Sequence, residues 1–406
     1  MSLHTAVSLP GSAPHPDVIT DLLGRISADH RRRLDDGGHE PPSLGVELVK
    51  AHRVGAAPLD RDLGGWGLST EEFFDLVMAL GEADPDLAHI LRVHFSVVEE
   101  LQRAPRRPNA ERWIAVVADG GLIGGVTSEQ STNQVGGQTY DTRLIRTDDG
   151  RLILRGRKYY STGAQYSDHL RVSAQGDDGA PVGAIIPADR VGVVHTDDWD
   201  GIGQRHTGSG TTVLDDVVVH DDELFPLGTK VGVDRPRGAL LQLYLHAIAA
   251  GILRSLRTDA VALVRGRQRS YTFATEASPT ADPQLLQVVG EIDAVAYAAS
   301  AVVRSAAREL GVALQAARAG GFDHELEHRA SVAAARVKVA IEEPALRAAG
   351  RIFDVGGASA IRASANLDRH WRNLRTLFSH NPTVYKARVL GDVAVNHAPL
   401  PDSSFF

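Results

Sequence analysis

The sequence predicts an α+β protein, mainly α, in which an N-terminal helical domain, a β-domain and a bundle of long helices follow one another. Up to about Gly120, apolar residues recur every three or four positions. From Gly121 to about Pro226 they alternate, and after Gly238 long Ala- and Leu-rich stretches restore the helical period. These two changes of period predict domains at residues 1–120, 121–228 and 229–406.

Each domain has its own local signals. Gly- and Pro-rich breaks separate the first helices, which are DVITDLLGRISADHRRRL, EEFFDLVMALGEA and DLAHILRVHFSVVEELQ. Two strands flank the turn Asp148-Asp149-Gly150, and GAIIPA, VGVVHT and TTVLDDVVV follow as strands of a small antiparallel domain. The last domain is predicted to contain helices near Ala239–Phe273, Pro283–Ala317 and His324–Phe353.

Composition excludes several classes of function. The 406 residues are 43% hydrophobic, and the net charge of -8 with only short Lys/Arg runs argues against nucleic acid as a partner. No cysteine is present, which excludes disulfides, thiolate metal sites and a cysteine nucleophile. The 17 histidines show no metal-ligand spacing, so no metal is expected. No window is apolar for long enough to predict a membrane span, and the N-terminus lacks a signal pattern, so we expect a cytoplasmic protein without membrane contact.

The segment LDRHWRNLRTLFSHNPTVYKARVL is the most informative part of the chain. It predicts a helix with an Arg-rich face and a second helix from Thr383, separated by a corner at Ser379–Pro382. Pro382 disfavours helical geometry at Asn381, which holds His380 at the corner. A histidine there is either a general acid or base near neutral pH, or a cap at a helix C-terminus.

Two Gly-rich places and two polar segments are candidate binding elements. Neither GGLIGG (120–125) nor VGGASA (355–360) has the strand, helix and spacing of a dinucleotide site, and VGGASA is either a simple turn or a phosphate contact through Gly356 and Gly357. The polar clusters TSEQST (127–132) and KYYSTGAQYSD (158–168) lie at strand ends, where binding residues collect. Their hydroxyls and aromatic rings suit a flat heteroaromatic ring, although each is also ordinary turn chemistry.

Taken together, the chain resembles the acyl-CoA dehydrogenase superfamily over nearly its whole length. The resemblance is carried by LGGWGLS (63–69), VTSE (126–129), KYYSTGA (158–164), DDWDGIGQRHTGSGTTVLDDVVV (197–219) and the closing DRHWRNLRTLFSHNPTVYK. It implies a helical domain, a β-domain and a C-terminal four-helix bundle, with flavin between the last two. The closing motif is similar to the flavin-dependent monooxygenase branch, which includes dibenzothiophene monooxygenase, sulfur-acquisition oxygenases and amine N-hydroxylases.

The resemblance also implies site residues. Thr162 is expected near the reactive N5 edge of the flavin, and His380 as the active-site histidine. The phosphate-binding arginine corresponds to Arg265 or Arg269 and reaches a neighbouring subunit's flavin. Candidate substrate contacts are His94, Phe95, Tyr244 and His246. The remaining flavin contacts implied are Val126, Thr127, Ser128, Tyr160, Ser161, Trp199 and Ser209.

Chemistry separates the two branches of the family. Removing the α-proton of a thioester requires a carboxylate, and the two places that carry it in the family, matching Ser379–Pro382 and Gln242–His246, contain neither Asp nor Glu. A monooxygenase instead needs a flavin C4a-hydroperoxide from which water is excluded and whose oxygens are hydrogen-bonded. Thr162 is expected to support the peroxide near N5, and His380 to act as acid or base on the substrate or the departing hydroxide. The sequence therefore predicts a two-component monooxygenase that uses reduced flavin and O2 to oxygenate a small organosulfur, amine or aromatic substrate.

The partners follow from the same resemblance. FMN in reduced form is expected, with FAD as the alternative, supplied by a separate NAD(P)H:flavin reductase because the chain has no nicotinamide-binding fingerprint. A homotetramer is expected. Two other hypotheses remain: an acyl-CoA dehydrogenase-like FAD oxidoreductase with a displaced base, and an oligomeric scaffold that has lost its flavin.

Overall fold

The computed structural model describes residues 11–105, 109–130, 139–225, 234–321, 323–403 and 405–406. Its helices, sheet and second set of helices follow one another as the fold class predicts, and that prediction is confirmed. Ser131 and Thr132, at the end of the predicted polar cluster, lie outside the described residues.

The first helices pack around one apolar core. A capping box, in which Ser69 and Glu72 exchange hydrogen bonds, fixes the start of α3. The stretch predicted as one helix after Asp84 forms two helices, because the helix is interrupted at Leu91. The bounds are α1 Pro16–Asp35, α2 Ser43–Ala51, α3 Thr70–Ala83, α4 Pro85–Ile90, α5 Arg92–Arg103 and α6 Ala110–Ala118.

Within the described residues, seven strands form one curled sheet. They are β1 Ile123–Val126, β2 Arg143–Arg146, β3 Leu152–Lys158, β4 His169–Gln175, β5 Pro181–Pro187, β6 Val193–Thr196 and β7 Thr211–Val219. The sequence analysis did not predict strand β4. It pairs antiparallel with β5 but parallel with β1 and, at one residue pair, with β2. The sheet is therefore mixed, which corrects the expectation of a wholly antiparallel domain.

In the described part of the chain after the sheet, there are three long helices and two shorter ones. They are α7 Arg235–Gly266, α8 Pro283–Arg318, α9 His324–Gly356, α10 Arg369–Phe378 and α11 Thr383–Asn396. Helix α7 ends at Gly266, seven residues before the predicted end, because Arg267 is extended. The apolar faces of α7, α8 and α9 meet those of α3 and α5 in the largest core cluster, so the first and last domains share one interior.

Helices α7 and α8 are long and apolar enough to cross a membrane by length and composition alone. The sequence-based expectation that no window reaches this limit is therefore wrong. The apolar window of α7 is 83% buried, which fits a helix at the centre of a protein core, whereas that of α8 is only 33% buried. Helix α8 thus carries apolar surface that this single chain does not cover.

His94 joins the first domain to the sheet. Its Nδ1 accepts a hydrogen bond from the Ile123 amide at 3.0 Å, so Nε2 carries the proton and donates to the Gly55 carbonyl at 3.0 Å. The ring is buried, and this burial lowers its pKa to about 4. Because the backbone occupies both nitrogens, His94 is structural, which corrects its prediction as a substrate contact.

This arrangement predicts a pH-dependent contribution to stability. The pKa of His94 in the folded chain, about 4, lies below the ordinary 6.5, so the unfolded chain binds the proton more strongly. The stabilisation by neutral His94 is full above pH 6.5 and is lost as the pH falls towards 4. We expect the difference in unfolding free energy between wild type and His94→Gln to shrink by about 1.4 kcal/mol per pH unit in that window.

Urea denaturation between pH 7 and 4.5 measures this difference. His39→Gln, at an exposed position, controls for the substitution itself and should leave stability close to that of wild type. A difference for His94→Gln that stays constant across the window would contradict the prediction.

Candidate active site

Two strand ends of the sheet lie side by side. The Tyr159 amide, just after β3, donates to the Ser128 carbonyl beyond β1 at 2.9 Å. Below them, Lys158 donates to Glu129 at 2.6 Å and to the Thr127 carbonyl at 3.2 Å, and both charged side chains are buried. This ion pair fixes the two segments that were predicted to hold a flavin. Val126 is buried at the end of β1, whereas Thr127 and Ser128 are exposed.

A chain of hydroxyl groups runs away from the second segment. Thr207 Oγ1 donates to the Gln204 carbonyl at 2.9 Å. Its only proton is then used, so Ser209 Oγ donates to Thr207 Oγ1 and Thr162 Oγ1 donates to Ser209 Oγ, each at 2.7 Å. The chain therefore has one direction. Any further partner of Thr162 Oγ1 meets a lone pair and must donate.

An aromatic pair flanks the hydroxyl chain. Tyr160 has the left-handed φ of 54° and keeps 58% of its surface exposed, and its ring lies edge-on to Trp199 with centroids 6.0 Å apart. Trp199 Nε1 donates to the Gln204 carbonyl at 2.9 Å. The hydroxyl of Ser161 is buried without a protein partner. Open aromatic rings beside hydroxyls and an unpartnered polar atom fit a flat heteroaromatic ring with polar edges, as a flavin has.

His380 lies in the corner between α10 and α11, as predicted. Asn381 Nδ2 donates to His380 Nδ1 at 3.2 Å and to Gln242 Oε1 at 2.7 Å, so the proton of the neutral imidazole is on Nε2. The side chain keeps solvent access although protein surrounds the corner. Desolvation, followed by the positive charge of Arg92, holds the pKa of His380 well below its usual range. His380 is therefore a neutral donor through Nε2, not the titrating acid near pH 7 that was considered.

A second histidine, which the sequence analysis missed, lies in the same place. His89 Nδ1 donates to Gln204 Oε1 at 2.9 Å, which leaves the lone pair of Nε2 available. Burial lowers the pKa of His89 to about 3, and His89 is close enough to His380 to affect its pKa. Gln204 thus links His89 to the hydroxyl chain of the sheet. The break at Leu91, which no sequence pattern predicted, turns His89 and Arg92 towards this site.

The other predicted substrate contacts belong to the interior. Phe95 packs edge-on against Phe73 with centroids 4.8 Å apart, and the hydroxyl of Tyr244 donates to the Ala88 carbonyl at 2.8 Å. Both side chains are buried in the main core, and their contact with a substrate stays a prediction. His246 is buried and stacked on Phe378, but its two ring nitrogens have no protein partner. Of the predicted substrate contacts, His246 is the one whose polar atoms have no partner among the described residues.

The predicted phosphate contacts are not brought together. Arg265 and Arg269 are exposed, and it is Arg267 that donates to the Val355 carbonyl at 3.0 Å and lies against Gly357. The amide of Gly357 donates to the Phe353 carbonyl at the end of α9 and is not free for a phosphate, which corrects that expectation for this residue. Gly356 lies in the last turn of α9. The reach of Arg265 or Arg269 into a neighbouring subunit stays a prediction.

Comparisons with known proteins agree with this geometry. The acyl-CoA dehydrogenase middle domain matches residues 125–217, and the acyl-CoA dehydrogenase C-terminal domain matches residues 243–384. Dibenzothiophene monooxygenase from Mycolicibacterium goodii is 30% identical, over 87% of this chain and 88% of its own. The probable FMNH2-dependent monooxygenase SfnC from Pseudomonas putida is 28% identical over 96% of both chains. The crystal structure of FMN-bound TdsC from Paenibacillus sp. A11-2 aligns with a TM-score of 0.85 and 25% identity, covering 96% of this chain and all of that one.

The fold and the two matched domains place the chain in the acyl-CoA dehydrogenase superfamily. Within it, the chain belongs to the branch of flavin-dependent monooxygenases, and it is an enzyme of that class. Within the described residues, no group of three or more His, Asp or Glu side chains could hold a metal ion.

The position of Asn381 generates a prediction about His380. Asn381→Ala removes the donor to Nδ1, so the imidazole is free to rotate and to take the other tautomer. We expect turnover to fall roughly 10- to 100-fold, the range typical of a lost partner that orients a site residue, with little change in flavin affinity. Stopped-flow turnover and flavin fluorescence titration measure the two quantities.

Asn396→Ala is the matched control, because Asn396 is exposed and bonds only to Asp392, one helical turn away. It should leave both quantities unchanged. Equal losses of turnover in the two variants, or full activity in Asn381→Ala, would contradict the positioning role.

Proposed function

We propose that this chain is the oxygenase of a two-component system, which takes FMNH2 from a separate NAD(P)H:flavin reductase and oxygenates a small organosulfur, amine or aromatic substrate with O2. The names of its relatives support FMN and monooxygenation. Bound reduced flavin supplies the two electrons that allow one oxygen atom to enter the substrate while the other leaves as water. The residues of the chain bind, orient and protect this chemistry.

One observation carries the proposal: the ionisable groups with the largest effect on the pKa of His380 include no carboxylate. They are Arg92, His89, Lys338 and His246, all of them basic. Gln242, on the first long bundle helix, is buried and bonded to Asn381. A dehydrogenase of this fold needs a carboxylate over the substrate to remove a proton, and the structure offers an imidazole instead. The acyl-CoA dehydrogenase-like alternative therefore lacks its base.

The hydroxyl chain favours reduced flavin. Thr162 Oγ1 donates to Ser209, so its remaining lone pair accepts from an N–H group. A flavin carries a proton on N5 only when it is reduced. Tyr160, Trp199 and the unpartnered hydroxyl of Ser161 would hold the ring beside it. This supports binding of the reduced cofactor by the side chains of the sheet.

The two neutral histidines have complementary roles. His380 offers a proton on Nε2, and His89 offers a lone pair on Nε2. A donor and an acceptor in one partly enclosed pocket can hydrogen-bond an oxygen species and take up or return the proton that moves during transfer to the substrate. Because the pKa values of both groups are lowered, neither becomes charged at neutral pH.

We also propose a homotetramer in the cytoplasm. The apolar window of α8 is largely uncovered by its own chain, and its exposed side chains include Leu286, Tyr297 and Val312. A second subunit would bury this surface and could receive Arg265 or Arg269. The absence of cysteine from the sequence fits a reducing compartment.

The decisive experiment uses His380→Ala with FMN, NADH, a flavin reductase and a thioether or aromatic substrate. We expect the oxygenated product to fall roughly 10²- to 10⁴-fold while oxygen is still consumed and hydrogen peroxide accumulates, because the variant lacks the Nε2 donor. Flavin affinity should be retained, since other segments bind the ring. Product chromatography and an oxygen electrode provide the readout.

His328→Ala, on the outer part of α9, serves as the control and should couple oxygen use to product as wild type does. Omitting the reductase should abolish turnover. Efficient turnover of the wild type with NADH alone would overturn the two-component proposal, and near-normal coupling in His380→Ala would overturn the role of the histidine.

Light scattering tests the assembly. Wild type should have about four times the 43.5 kDa mass of one chain. Tyr297→Glu places a charge on the exposed face of α8 and should shift the mass downward, whereas Tyr271→Glu, at an exposed site outside the helices, should not. A wild-type monomer that still binds flavin would contradict the proposal.

A further inference from the structure

Arg92 lies where the candidate flavin segments meet the His380 corner. It is the first residue of α5, and its Nε donates to the Leu241 carbonyl of α7 at 3.0 Å. The next residue of α7, Gln242, bonds to Asn381 beside His380. On the other side, the Ile90 carbonyl lies against Gly163 and the Val93 side chain against Gly125, so closely that neither glycine could carry a Cβ atom. The Arg92 side chain thus lies between the sheet and the bundle, where it is partly buried.

No carboxylate balances this charge. All 51 Asp and Glu residues fall within the described part of the chain, and none has an oxygen within 4.0 Å of an Arg92 nitrogen. The Leu241 carbonyl is its single hydrogen-bond acceptor among the described residues. Among the described residues, the one ionisable group whose charge would favour the cation of Arg92 is the phenol of Tyr244, which is neutral at pH 7. Burial lowers the pKa of Arg92 to about 10, so the guanidinium remains a cation.

Other enclosed arginines of the chain are different. Arg33 is buried against Asp84 and donates to Asp29 at 2.9 Å, and Arg171 pairs with Glu100 at 3.1 Å. A desolvated cation without such a partner is unfavourable. Unlike Arg33 and Arg171, Arg92 has no carboxylate counter-charge among the described residues.

The surroundings add to the positive charge. Lys338 donates to the Phe378 carbonyl at 2.8 Å, and although burial lowers its pKa to about 8, it stays mostly protonated at pH 7. Lys386 donates to the Phe405 carbonyl, and burial lowers its pKa to about 7, so it is only partly charged at neutral pH. His246 is buried nearby with both ring nitrogens unpartnered. The surroundings of His380 thus contain the cations of Arg92 and Lys338, together with ring nitrogens of His246 that have no partner among the described residues. An anionic ligand would satisfy them, and the planar guanidinium matches two oxygens of one group.

We propose that Arg92 binds an anionic group of the substrate, so that the enzyme oxygenates a small organic oxyanion whose sulfinate, sulfonate or carboxylate group pairs with this guanidinium. The proposal rests on the proposed monooxygenase function, whose site it shares. The pairing would hold the substrate between the flavin segments and His380, and Arg92 is then the residue that determines specificity.

The test is calorimetric titration of the FMN-saturated protein, in which the flavin phosphate already occupies its own site. The probes are benzenesulfinate and benzoate, with methyl phenyl sulfoxide and benzamide as neutral counterparts of similar shape. Wild type should bind each anion at least 10-fold more tightly than its neutral counterpart. Arg92→Gln should lose roughly 10- to 100-fold in anion affinity, as expected for a charge-assisted hydrogen bond, and little in affinity for the neutral probes.

Arg308→Gln is the matched control, because Arg308 forms an exposed pair with Glu71 at 2.9 Å. It should bind all four probes as wild type does. Arg92→Lys keeps the charge without the planar fork and should retain part of the anion preference. If Arg92→Gln does not fold, the role of Arg92 is decided by two other results: the preference of wild type for anionic over neutral probes, and the size of that preference in Arg92→Lys.

The outcomes separate this inference from the proposed function. Equal affinities for anions and neutral counterparts, or no probe binding to wild type, would overturn the role of Arg92 even if the enzyme oxygenates neutral thioethers with reduced FMN. Anion binding that depends on Arg92, with no coupled oxygenation of any probe, would support the anion site and count against the monooxygenase function.

Discussion

Gln204 holds the candidate active site together. Its backbone carbonyl accepts hydrogen bonds from Trp199 and Thr207 of the β-domain, and its backbone amide donates to Asn373 of α10 at 2.8 Å. Its side-chain oxygen accepts a hydrogen bond from His89 of α4. One residue, in the left-handed conformation with φ 53°, thus joins the three parts of the chain. Because Gly203 packs directly on the backbone of α10, the loop cannot withdraw without breaking several of these contacts. The geometry of the aromatic pair and of both histidines depends on this junction.

The junction also determines protonation. His89 must donate to the Gln204 side chain, and His380 must accept from Asn381. His89 therefore offers a hydrogen-bond acceptor on Nε2, and His380 offers a donor on Nε2. Second partners that fix the tautomer of a histidine are a common way of tuning its function. Here they supply one donor and one acceptor without any change of charge. An oxygenase that must protect a reactive oxygen species gains from this, because neutral groups attract less water than ionised ones.

The sequence was sufficient to predict the order of the domains and most of the helices. It also singled out Thr162, Ser209, Tyr160 and Trp199, which lie in one cluster in the structure. Local period and turn residues determine these features, and the resemblance adds their arrangement. The sequence was insufficient for β4, because its pairing with β1 and β5 involves residues distant along the chain.

The choice between His89 and His94 could not be made from the sequence either. Both lie in one apolar stretch, and only the break at Leu91 together with partners from residues 55, 123 and 204 distinguishes the structural histidine from the one at the site. The same break places Arg92 in the pocket. Side-chain roles of this kind depend on tertiary contacts, which neither spacing nor propensity records.

The charge of the pocket gives a physical reason for the loss of dehydrogenase chemistry. Desolvation, followed by the positive charges of Arg92 and Lys338, lowers the pKa of His380, which keeps it neutral. The same cations would act on a carboxylate at this corner in the opposite sense, because they stabilise its ionised form and lower its pKa. A carboxylate held in that state is a weaker base for removing a proton from carbon. A change from dehydrogenase to monooxygenase therefore involves more than the exchange of one residue: the surrounding cations make the corner a poor place for a catalytic carboxylate and a suitable one for a neutral imidazole beside an anionic substrate.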